Sequence, residues 1–245
     1  MSFLEIVQAA VAEVGGGQRG QKRRAAALLT ETVLAGGVIQ AFGCGHSEGL
    51  AMEIAGRAGG LVPTNRIALR DVVLYGGEPV EVLADPAIER RPEIAHRLYE
   101  LAPVQPDDAF VIASNSGVNG AVVEMALLVK RRGHRLIALV SARHSAGVEA
   151  RHPSGKKLGE IADVVLDNGA PYGDAALPIP GGGAVGALSS ITAALLAQQI
   201  VAEVVDNLIA AGVTPPVYRS DNVPGGKEHN ARIEARYAGR LRRTA

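Results

Sequence analysis

Short, almost continuous apolar runs recur along the chain, and each is followed by a turn of small residues. Four of these runs are Val38–Phe42, Asp108–Ala113, Leu136–Val140 and Ile161–Leu166. Runs without polar alternation are typical of strands that are covered on both faces, as in a parallel sheet. A further strand is predicted within Ile67–Leu74.

Stretches with helical periodicity alternate with these strands. The predicted helices Glu48–Arg57 and Ala121–Arg131 follow the first two runs, and a long helix, Ala184–Ile209, follows the fourth. Strand, small-residue turn and helix in repeated order predict a parallel sheet between two layers of helices. We therefore expect an α/β fold, a three-layer αβα sandwich.

The chain divides into three parts without a long linker. Residues 1–35 contain two predicted helices and form an N-terminal helical extension, because apolar residues recur there at helical spacing. Residues 36–212 hold the α/β domain, and residues 213–245 form a C-terminal segment that completes the domain or a dimer site. The N-terminal helices and the long late helix are apolar enough to need a partner, so we expect a homodimer or homotetramer.

Composition excludes several classes of partner. Lys+Arg 25 and Asp+Glu 25 give a formal net charge of zero, and aromatic residues make up 3%, which argues against nucleic-acid binding. A single cysteine, Cys44, excludes an internal disulfide framework. The N-terminus lacks the basic region of a secretory signal, and no apolar run reaches the ~18 residues of a membrane span. We expect a cytoplasmic protein with no membrane partner.

Three predicted strand ends are followed by segments that contain serine, and the first two also contain glycine. The first is Gly43–Ser47, the second is Ser114–Gly117 and the third is Ser141–Ser145. Ligands of open α/β sheets bind at the carboxyl ends of strands, and helix N-termini there present free N–H groups to anions. The alternative is that Ser47 and Ser114 only cap helices. Two such loops after successive strands favour a phosphate-binding site.

Other motifs lack the context that their chemistry needs. Gly181–Gly186 matches the spacing of a dinucleotide-binding loop, but it follows a Pro-containing segment and not a strand end. The spacings of Cys44 with His46 and of His144 with His152 match no recognised zinc site. We therefore expect neither a cofactor nor a metal.

Two segments resemble the sugar isomerase (SIS) domain family. They are VIQAFGCGHSEGLAMEIAG and FVIASNSGVNGAVVEMALLVKRRGHRLIALVS, and the resemblance covers roughly residues 35–210. It is closest to an uncharacterised bacterial subgroup that ends in a segment similar to Gly226–Asn230. It implies a flavodoxin-like, five-stranded parallel sheet that binds a sugar phosphate. The implied ligand-binding positions are Ser47, Ser114, Asn115, Ser116, Asn119 and Ser141. Two further residues of the first loop are candidates on their own chemistry: Gly45 allows the backbone to approach a ligand, and His46 can donate to phosphate or hydroxyls or is a partly exposed loop histidine.

Candidates for proton transfer lie near the first loop and in the C-terminal segment. An aldose–ketose isomerase needs a base that moves a proton between adjacent carbons. Glu53 can serve as this base, or it can simply pair with Arg57 one helical turn later. Glu48 can meet sugar hydroxyls or act as a helix cap. Lys227 and His229 can bind substrate and act as acid or base, within their own chain or in a partner subunit, or they belong to a solvated tail.

One departure from the resemblance leaves the reaction open. Phosphoheptose isomerases and N-acetylmuramate 6-phosphate etherases carry a catalytic Glu at the position that aligns with Arg57. The isomerases also have a His in the late helix, where this chain has Gln198 or Gln199. An isomerase acting on a sugar or amino-sugar phosphate is the first hypothesis and a lyase a weaker one. The alternative is a non-catalytic phosphosugar-binding regulator or sensor.

Overall fold

A five-stranded parallel sheet forms the centre of the computed structural model, which describes residues 2–243. The strand order is β2-β1-β3-β4-β5, and every neighbouring pair is parallel. The expected α/β class and five-stranded sheet are confirmed. The strands are β1 (Ile39–Gly43), β2 (Thr64–Ile67), β3 (Ala109–Ala113), β4 (Arg135–Val140) and β5 (Val164–Asp167).

Helices cover both faces of this sheet. They are α1 (Phe3–Gly16), α2 (Arg19–Leu34), α3 (Glu48–Ile54), α4 (Asp71–Leu74), α5 (Glu93–Leu101), α6 (Gly120–Arg131), α7 (Ala142–Ala146), α8 (Ser189–Ala210) and α9 (Gly226–Glu234). Helices α2, α3 and α8 enclose one core with the sheet, and α5 and α6 enclose the other. Five short 3₁₀ helices complete the described elements: Gly45–Ser47, Val80–Ala84, Ile88–Arg90, Leu158–Glu160 and Ala235–Tyr237.

Alternate residues of the central strands enter the two cores. Ile39 and Val111 face the α2–α3–α8 side, whereas Phe42 and Phe110 face the α5–α6 side. All five residues of β1 and all five of β3 are buried. Burial on both faces explains why these strands are continuous apolar runs in the sequence.

The strand order places a topological switch point between β1 and β3. After β1 the chain moves outward to β2, and it then returns to the other side of β1 to form β3. The connections that follow the two strands therefore leave in opposite directions and open a crevice at their carboxyl ends.

Two sequence predictions differ from the observed elements. The strand expected in Ile67–Leu74 lies at Thr64–Ile67, and Asp71 begins the short helix α4. The helix expected from Ala184 begins at Ser189, because residues 175–187 form an antiparallel hairpin, β6 (Ala175–Pro178) with β7 (Ala184–Ala187). Asp174 starts α8 at that point, since its carboxylate accepts hydrogen bonds from the Ser189 backbone N–H (2.8 Å) and hydroxyl (2.7 Å).

Within residues 2–243, α8 is the one helix that is long and apolar enough to cross a membrane by length and composition. It packs against α1, α2 and α3, and Leu196 and Val204 on it are fully buried, as is typical of a core helix. The C-terminal segment returns to the body through a bridge between Leu61 and Val217 and then forms α9.

Candidate functional site

The loop after β1 turns sharply to begin α3. A Cβ atom on Gly43 would lie 2.3 Å from the Ser47 carbonyl oxygen, so only glycine allows this close approach. Gly45 has a φ of +55°, which also favours glycine. His46 and Ser47 follow within the 3₁₀ turn, and the Ser47 side chain makes no capping hydrogen bond. The helix-cap alternative for Ser47 is therefore not what the structure shows.

The loop after β3 forms a second tight turn. The Ser114 hydroxyl oxygen accepts a hydrogen bond from the Gly117 N–H at 3.1 Å, and Gly117 has a φ of +67°. Asn119 is the N-cap residue of α6, but its side chain makes no capping hydrogen bond. The first turn of any helix has N–H groups without partners inside the helix. The side-chain amide of Asn119 and the start of α6 are thus available to an anion.

These two loops form opposite walls of a cleft of about 530 Å³. Seven predicted binding residues line it: Gly45, His46, Ser47, Ser114, Asn115, Ser116 and Asn119. The Asn115 side-chain oxygen accepts a hydrogen bond from the Asn168 amide at 2.7 Å, which leaves the Asn115 amide group to face the cleft. We call this space the sheet-edge cleft.

Other residues of the sheet-edge cleft did not emerge from the sequence. Glu89, His144, Asp174 and Ser190 line it, together with Cys44, Val122, Gly173, Ala175 and Ala187. Glu89 lies in the 3₁₀ helix Ile88–Arg90, a segment without a periodic pattern, so no spacing signal marks it. Asp174 and Ser190 lie on either side of the hairpin that the sequence did not reveal. His144 could have been found, because it belongs to Ser141–Ser145, the third serine-containing segment after a predicted strand.

Cys44 borders the cleft without the properties of a nucleophile. Burial raises the pKa of its thiol far above the usual range, and the nearby carboxylates of Glu89 and Glu48 add to that effect. The thiol therefore stays protonated at neutral pH, and a nucleophilic cysteine needs the thiolate.

Glu53 lies in a smaller space of about 160 Å³, which shares His46, Ser47, Ser114 and Asn115 with the sheet-edge cleft. Its Oε1 atom accepts hydrogen bonds from Gln198 (2.7 Å) and Arg57. Its Oε2 atom accepts no hydrogen bond from the described part of the chain, residues 2–243. Both interpretations of Glu53 from the sequence are therefore compatible: it pairs with Arg57, and it also faces the site.

Three predicted binding residues lie outside both spaces, and two of them, Glu48 and Ser141, belong to the α/β domain. Glu48 forms ion pairs with Arg70 and with Arg66 (3.8 Å), so its carboxylate stabilises the position of α3 within the fold. Ser141 is fully buried: its hydroxyl donates to the Ala170 carbonyl oxygen at 2.7 Å and accepts from the His144 N–H at 3.0 Å. The expectation that Ser141 binds ligand is corrected here, because both of its hydrogen-bonding functions are used inside the fold.

Lys227 and His229 lie on α9, away from the sheet-edge cleft of their own chain. Lys227 lines a different cleft near the end of α3. His229 Nε2 is 3.0 Å from the Val217 carbonyl oxygen, and its Nδ1 is buried without a hydrogen-bond partner in residues 2–243. The structure therefore does not bring Glu53 and His229 together within one chain. A role in a partner subunit stays a prediction.

Metal ligands do not gather anywhere in residues 2–243: no group of three or more His, Cys, Asp or Glu residues is placed to hold an ion. The lining of the sheet-edge cleft combines hydrogen-bond donors with the carboxylates of Glu89 and Asp174, of which Asp174 already accepts hydrogen bonds from Ser189. Ser47, Ser116 and Asn119 supply neutral donors, and His46 and His144 supply imidazoles. These donors suit the oxygen atoms of an anion or of a sugar.

Comparison with known proteins identifies the family. The SIS domain family matches residues 2–141, which contain both loops of the sheet-edge cleft. The chain belongs to the SIS-domain family. It is 38% identical over 245 residues to the UPF0309 protein lmo0025 of Listeria monocytogenes, covering 98% of each chain. It is 34% identical over 244 residues to the UPF0309 protein TTE0306 of Caldanaerobacter subterraneus, again covering 98% of each chain.

Solved structures share the SIS fold. Phosphoheptose isomerase GmhA from Neisseria gonorrhoeae superposes with a TM-score of 0.54 at 18% identity, over 82% of this chain and 94% of that one. A phosphoheptose isomerase from Francisella tularensis superposes with a TM-score of 0.56 at 17% identity, again over 82% of this chain and 94% of that one. At such identities the likeness extends to the three-layer fold and no further.

Proposed function

We propose that the sheet-edge cleft binds a sugar phosphate, with the phosphate at the start of α6. The observation that carries the proposal is the set of open donors between β1 and β3, at the switch point of the sheet. Ser116 and Asn119 make no side-chain hydrogen bonds within residues 2–243, and both line the cleft. A helix N-terminus with such donors favours a phosphate group. Membership of the SIS-domain family supports the same ligand class.

We further propose that the bound sugar phosphate, an aldose or ketose with or without an amino group, undergoes isomerisation with Glu53 as the base. Gln198 and Arg57 both bond to Oε1, so they orient the carboxylate and leave Oε2 open to the substrate. In this reaction Oε2 takes the proton from C2 of the aldose and returns it to C1, while the hydroxyl proton of O2 passes to O1, the former carbonyl oxygen. His46 lies on the wall shared by both spaces, where it can hydrogen-bond the sugar oxygens.

The N-terminal helices and α8 support the proposal of a homodimer or homotetramer. Leu4 and Ile209 on these helices are largely exposed, 65% and 59%, and such apolar surface favours burial against another copy. A partner subunit is also the remaining way for Lys227 or His229 to reach a sugar. Light scattering at micromolar concentration tests the oligomeric state, and a monomer would contradict it.

A thermal-shift screen tests the ligand class. Hexose, pentose, heptose and amino-sugar phosphates are compared with their unphosphorylated sugars. A ligand at ~100 times its dissociation constant stabilises the folded state by ~2.7 kcal/mol, so a true ligand raises the melting temperature visibly. Ser116→Ala is expected to weaken the phosphate-dependent binding by ~1–3 kcal/mol, because a donor to a charged group is lost. Ser145→Ala is the matched control, since Ser145 lines neither space.

Deuterium exchange at C2 of the ligand found by that screen separates enzyme from sensor. Glu53→Gln is expected to abolish exchange and to retain binding, because the amide keeps the shape of the side chain without its basicity. Binding without exchange in the unaltered protein would contradict the isomerase and favour the regulator. Failure of every sugar phosphate to bind would contradict both hypotheses, the isomerase and the regulator.

A further inference from the structure

A second cleft, of about 520 Å³, lies between the end of α3 and the C-terminal segment. None of its lining residues belongs to the sheet-edge cleft. We call it the C-terminal cleft. Its lining includes Arg57, Arg219, Lys227 and Arg243 as cations and Asp221 and Glu234 as anions.

Hydrogen bonds fix the walls of the C-terminal cleft. The Gly59 N–H donates to the Tyr218 carbonyl oxygen, and the Tyr218 N–H donates to the Gly60 carbonyl oxygen, both at 2.9 Å. Asn230 is buried on α9, and its side chain bonds the Arg219 N–H (2.9 Å) and the Arg219 carbonyl oxygen (2.8 Å). The loop that carries Arg219 is therefore held against α9 before any ligand arrives.

Both carboxylates of this cleft are already engaged. Asp221 accepts a hydrogen bond from the Asn230 amide at 2.8 Å, and Glu234 accepts one from the Tyr218 hydroxyl at 2.5 Å. Burial, together with that bond to Glu234, raises the pKa of Tyr218 to about 12. The hydroxyl consequently remains a donor at neutral pH, and it keeps the Glu234 carboxylate occupied.

Three of the four cations are less well compensated, whereas Arg57 pairs with Glu53. Arg219 and Lys227 have no carboxylate within 4.0 Å in the part of the chain from residue 2 to residue 243. Arg243 donates to the carbonyl oxygens of Thr64 (2.7 Å) and Val62 (2.8 Å) and to the Tyr218 hydroxyl, and its Nε is 3.7 Å from Glu234. Its guanidinium is thus anchored mainly by neutral groups.

Sequence composition shows that this excess of positive charge is local. Residues 213–243 contain seven basic and three acidic residues, whereas the whole chain has a formal net charge of zero. Three of these basic residues, Arg219, Lys227 and Arg243, line the C-terminal cleft, whose volume lies within the range typical of small-ligand sites, ~300–1,000 Å³. Tyr218 is buried and offers no ring face for a stacked base, so an extended nucleic-acid surface is not formed.

We infer that the C-terminal cleft is a second anion site, which takes the phosphate or diphosphate group of a small molecule. Arg219 and Lys227 supply the unpaired charges, and Arg243 adds positive charge, as does Arg57, which also pairs with Glu53. Arg and Lys in convergent positions recognise phosphate through charge-assisted hydrogen bonds. This inference does not depend on the ligand or reaction of the sheet-edge cleft.

Isothermal titration with inorganic pyrophosphate at 0.15 M salt tests the inference, since that ionic strength screens weak surface attraction. All variants carry Ser116→Glu, which places a carboxylate in the sheet-edge cleft and prevents that cleft from binding the probe. The test variant adds Arg219→Ala and Lys227→Ala. The matched control adds Arg232→Ala and Arg236→Ala, which remove the same charge from exposed positions outside the C-terminal cleft.

The expected result is a dissociation constant at least ~10-fold higher in the test variant and nearly unchanged in the control. Equal weakening in both would overturn the inference, because only the overall charge would then matter. Binding that survives in the test variant, or no binding even in the Ser116→Glu parent, would overturn it as well. Circular dichroism verifies that each variant is folded.

Discussion

The two ends of the strands in the parallel sheet use polar residues in opposite ways. We call the side where the strands begin the amino edge and the side where they finish the carboxyl edge. At the amino edge, buried Asp108 accepts hydrogen bonds from the Val38 N–H (2.8 Å), the Gln40 amide (2.9 Å) and the Gln105 N–H (3.0 Å), and it pairs with Arg240. At the carboxyl edge, Ser116 and Asn119 make no such side-chain bonds in residues 2–243.

This difference separates polar residues that stabilise the fold from those available to a ligand. A polar group whose partners all lie inside the protein contributes to folding, and its removal leaves those partners buried without hydrogen bonds. A group at the mouth of a cleft without such partners costs the fold little when it is changed. Substitutions at the amino edge should therefore affect stability, and substitutions at the carboxyl edge should affect binding.

The largest expected effect is at the amino edge. Asp108→Ala should lower the free energy of unfolding by ~3–5 kcal/mol, because it leaves the Arg240 guanidinium and several buried donors without their acceptor. Urea unfolding followed by circular dichroism measures the change. Asp107→Ala is the matched control, since Asp107 is the preceding residue and is exposed. A decrease in the free energy of unfolding below ~1 kcal/mol in Asp108→Ala would contradict the difference proposed between the two edges.

Ser114, Asn115 and Ser141 are exceptions at the carboxyl edge, because their side chains hydrogen-bond within the fold, and Ser141 sharpens the comparison most since it lies outside the cleft. Ser141→Ala should lower the free energy of unfolding by ~1–3 kcal/mol, because the buried Ala170 carbonyl loses its donor and the His144 N–H its acceptor. Affinity in the sheet-edge cleft should be unchanged for the folded fraction. Ser145→Ala serves as the control, since its hydroxyl makes no hydrogen bond within residues 2–243. Weaker ligand binding with unchanged stability would show that Ser141 belongs to the site after all.

The same distinction explains which parts of the fold and of the site the sequence predicts. Apolar runs located four of the five strands, since strands buried on both faces leave a continuous signal. Glycine and serine at the ends of β1 and β3 located the sheet-edge cleft. Glu89 was not predicted, because it reaches the cleft from an irregular segment whose position depends on tertiary contacts.

Ser141 shows the limit of motif reasoning within the site itself. Its segment also follows a strand and contains serine, yet the Ser141 hydroxyl donates its hydrogen bond to Ala170, a residue 29 positions later. The hairpin β6–β7 was missed for a related reason: its glycines and prolines predict a loop, and the pairing of its two strands, with Leu177 opposite Val185, makes it a sheet. In both cases the partner of a residue decides its role, and the residue types alone do not show that partner.

The smallest expected effect is a pH dependence at the amino edge. His134 precedes β4 and is buried, with Nδ1 2.9 Å from the Asp108 carbonyl oxygen and Nε2 2.8 Å from the Tyr99 hydroxyl. In the neutral ring Nδ1–H donates to that carbonyl and Nε2 accepts from Tyr99. Burial lowers the pKa of His134 below its ordinary value of 6.5, and Lys130 and Arg132 act in the same direction, whereas Asp108 opposes them.

Because the folded state disfavours the proton, the unfolded state binds more protons below pH 6.5. The stability that His134 contributes is therefore complete above pH 6.5 and is lost as the pH falls through the lowered pKa of the folded state. The free energy of unfolding should decline by at most ~1.4 kcal/mol per pH unit from this residue. Urea unfolding between about pH 5 and pH 8, the range in which histidine titrates, measures the slope, and His134→Gln should reduce it. An identical slope in His134→Gln would contradict the prediction, because it would show that the hydrogen bonds of His134 with Asp108 and Tyr99 tolerate a charged imidazole.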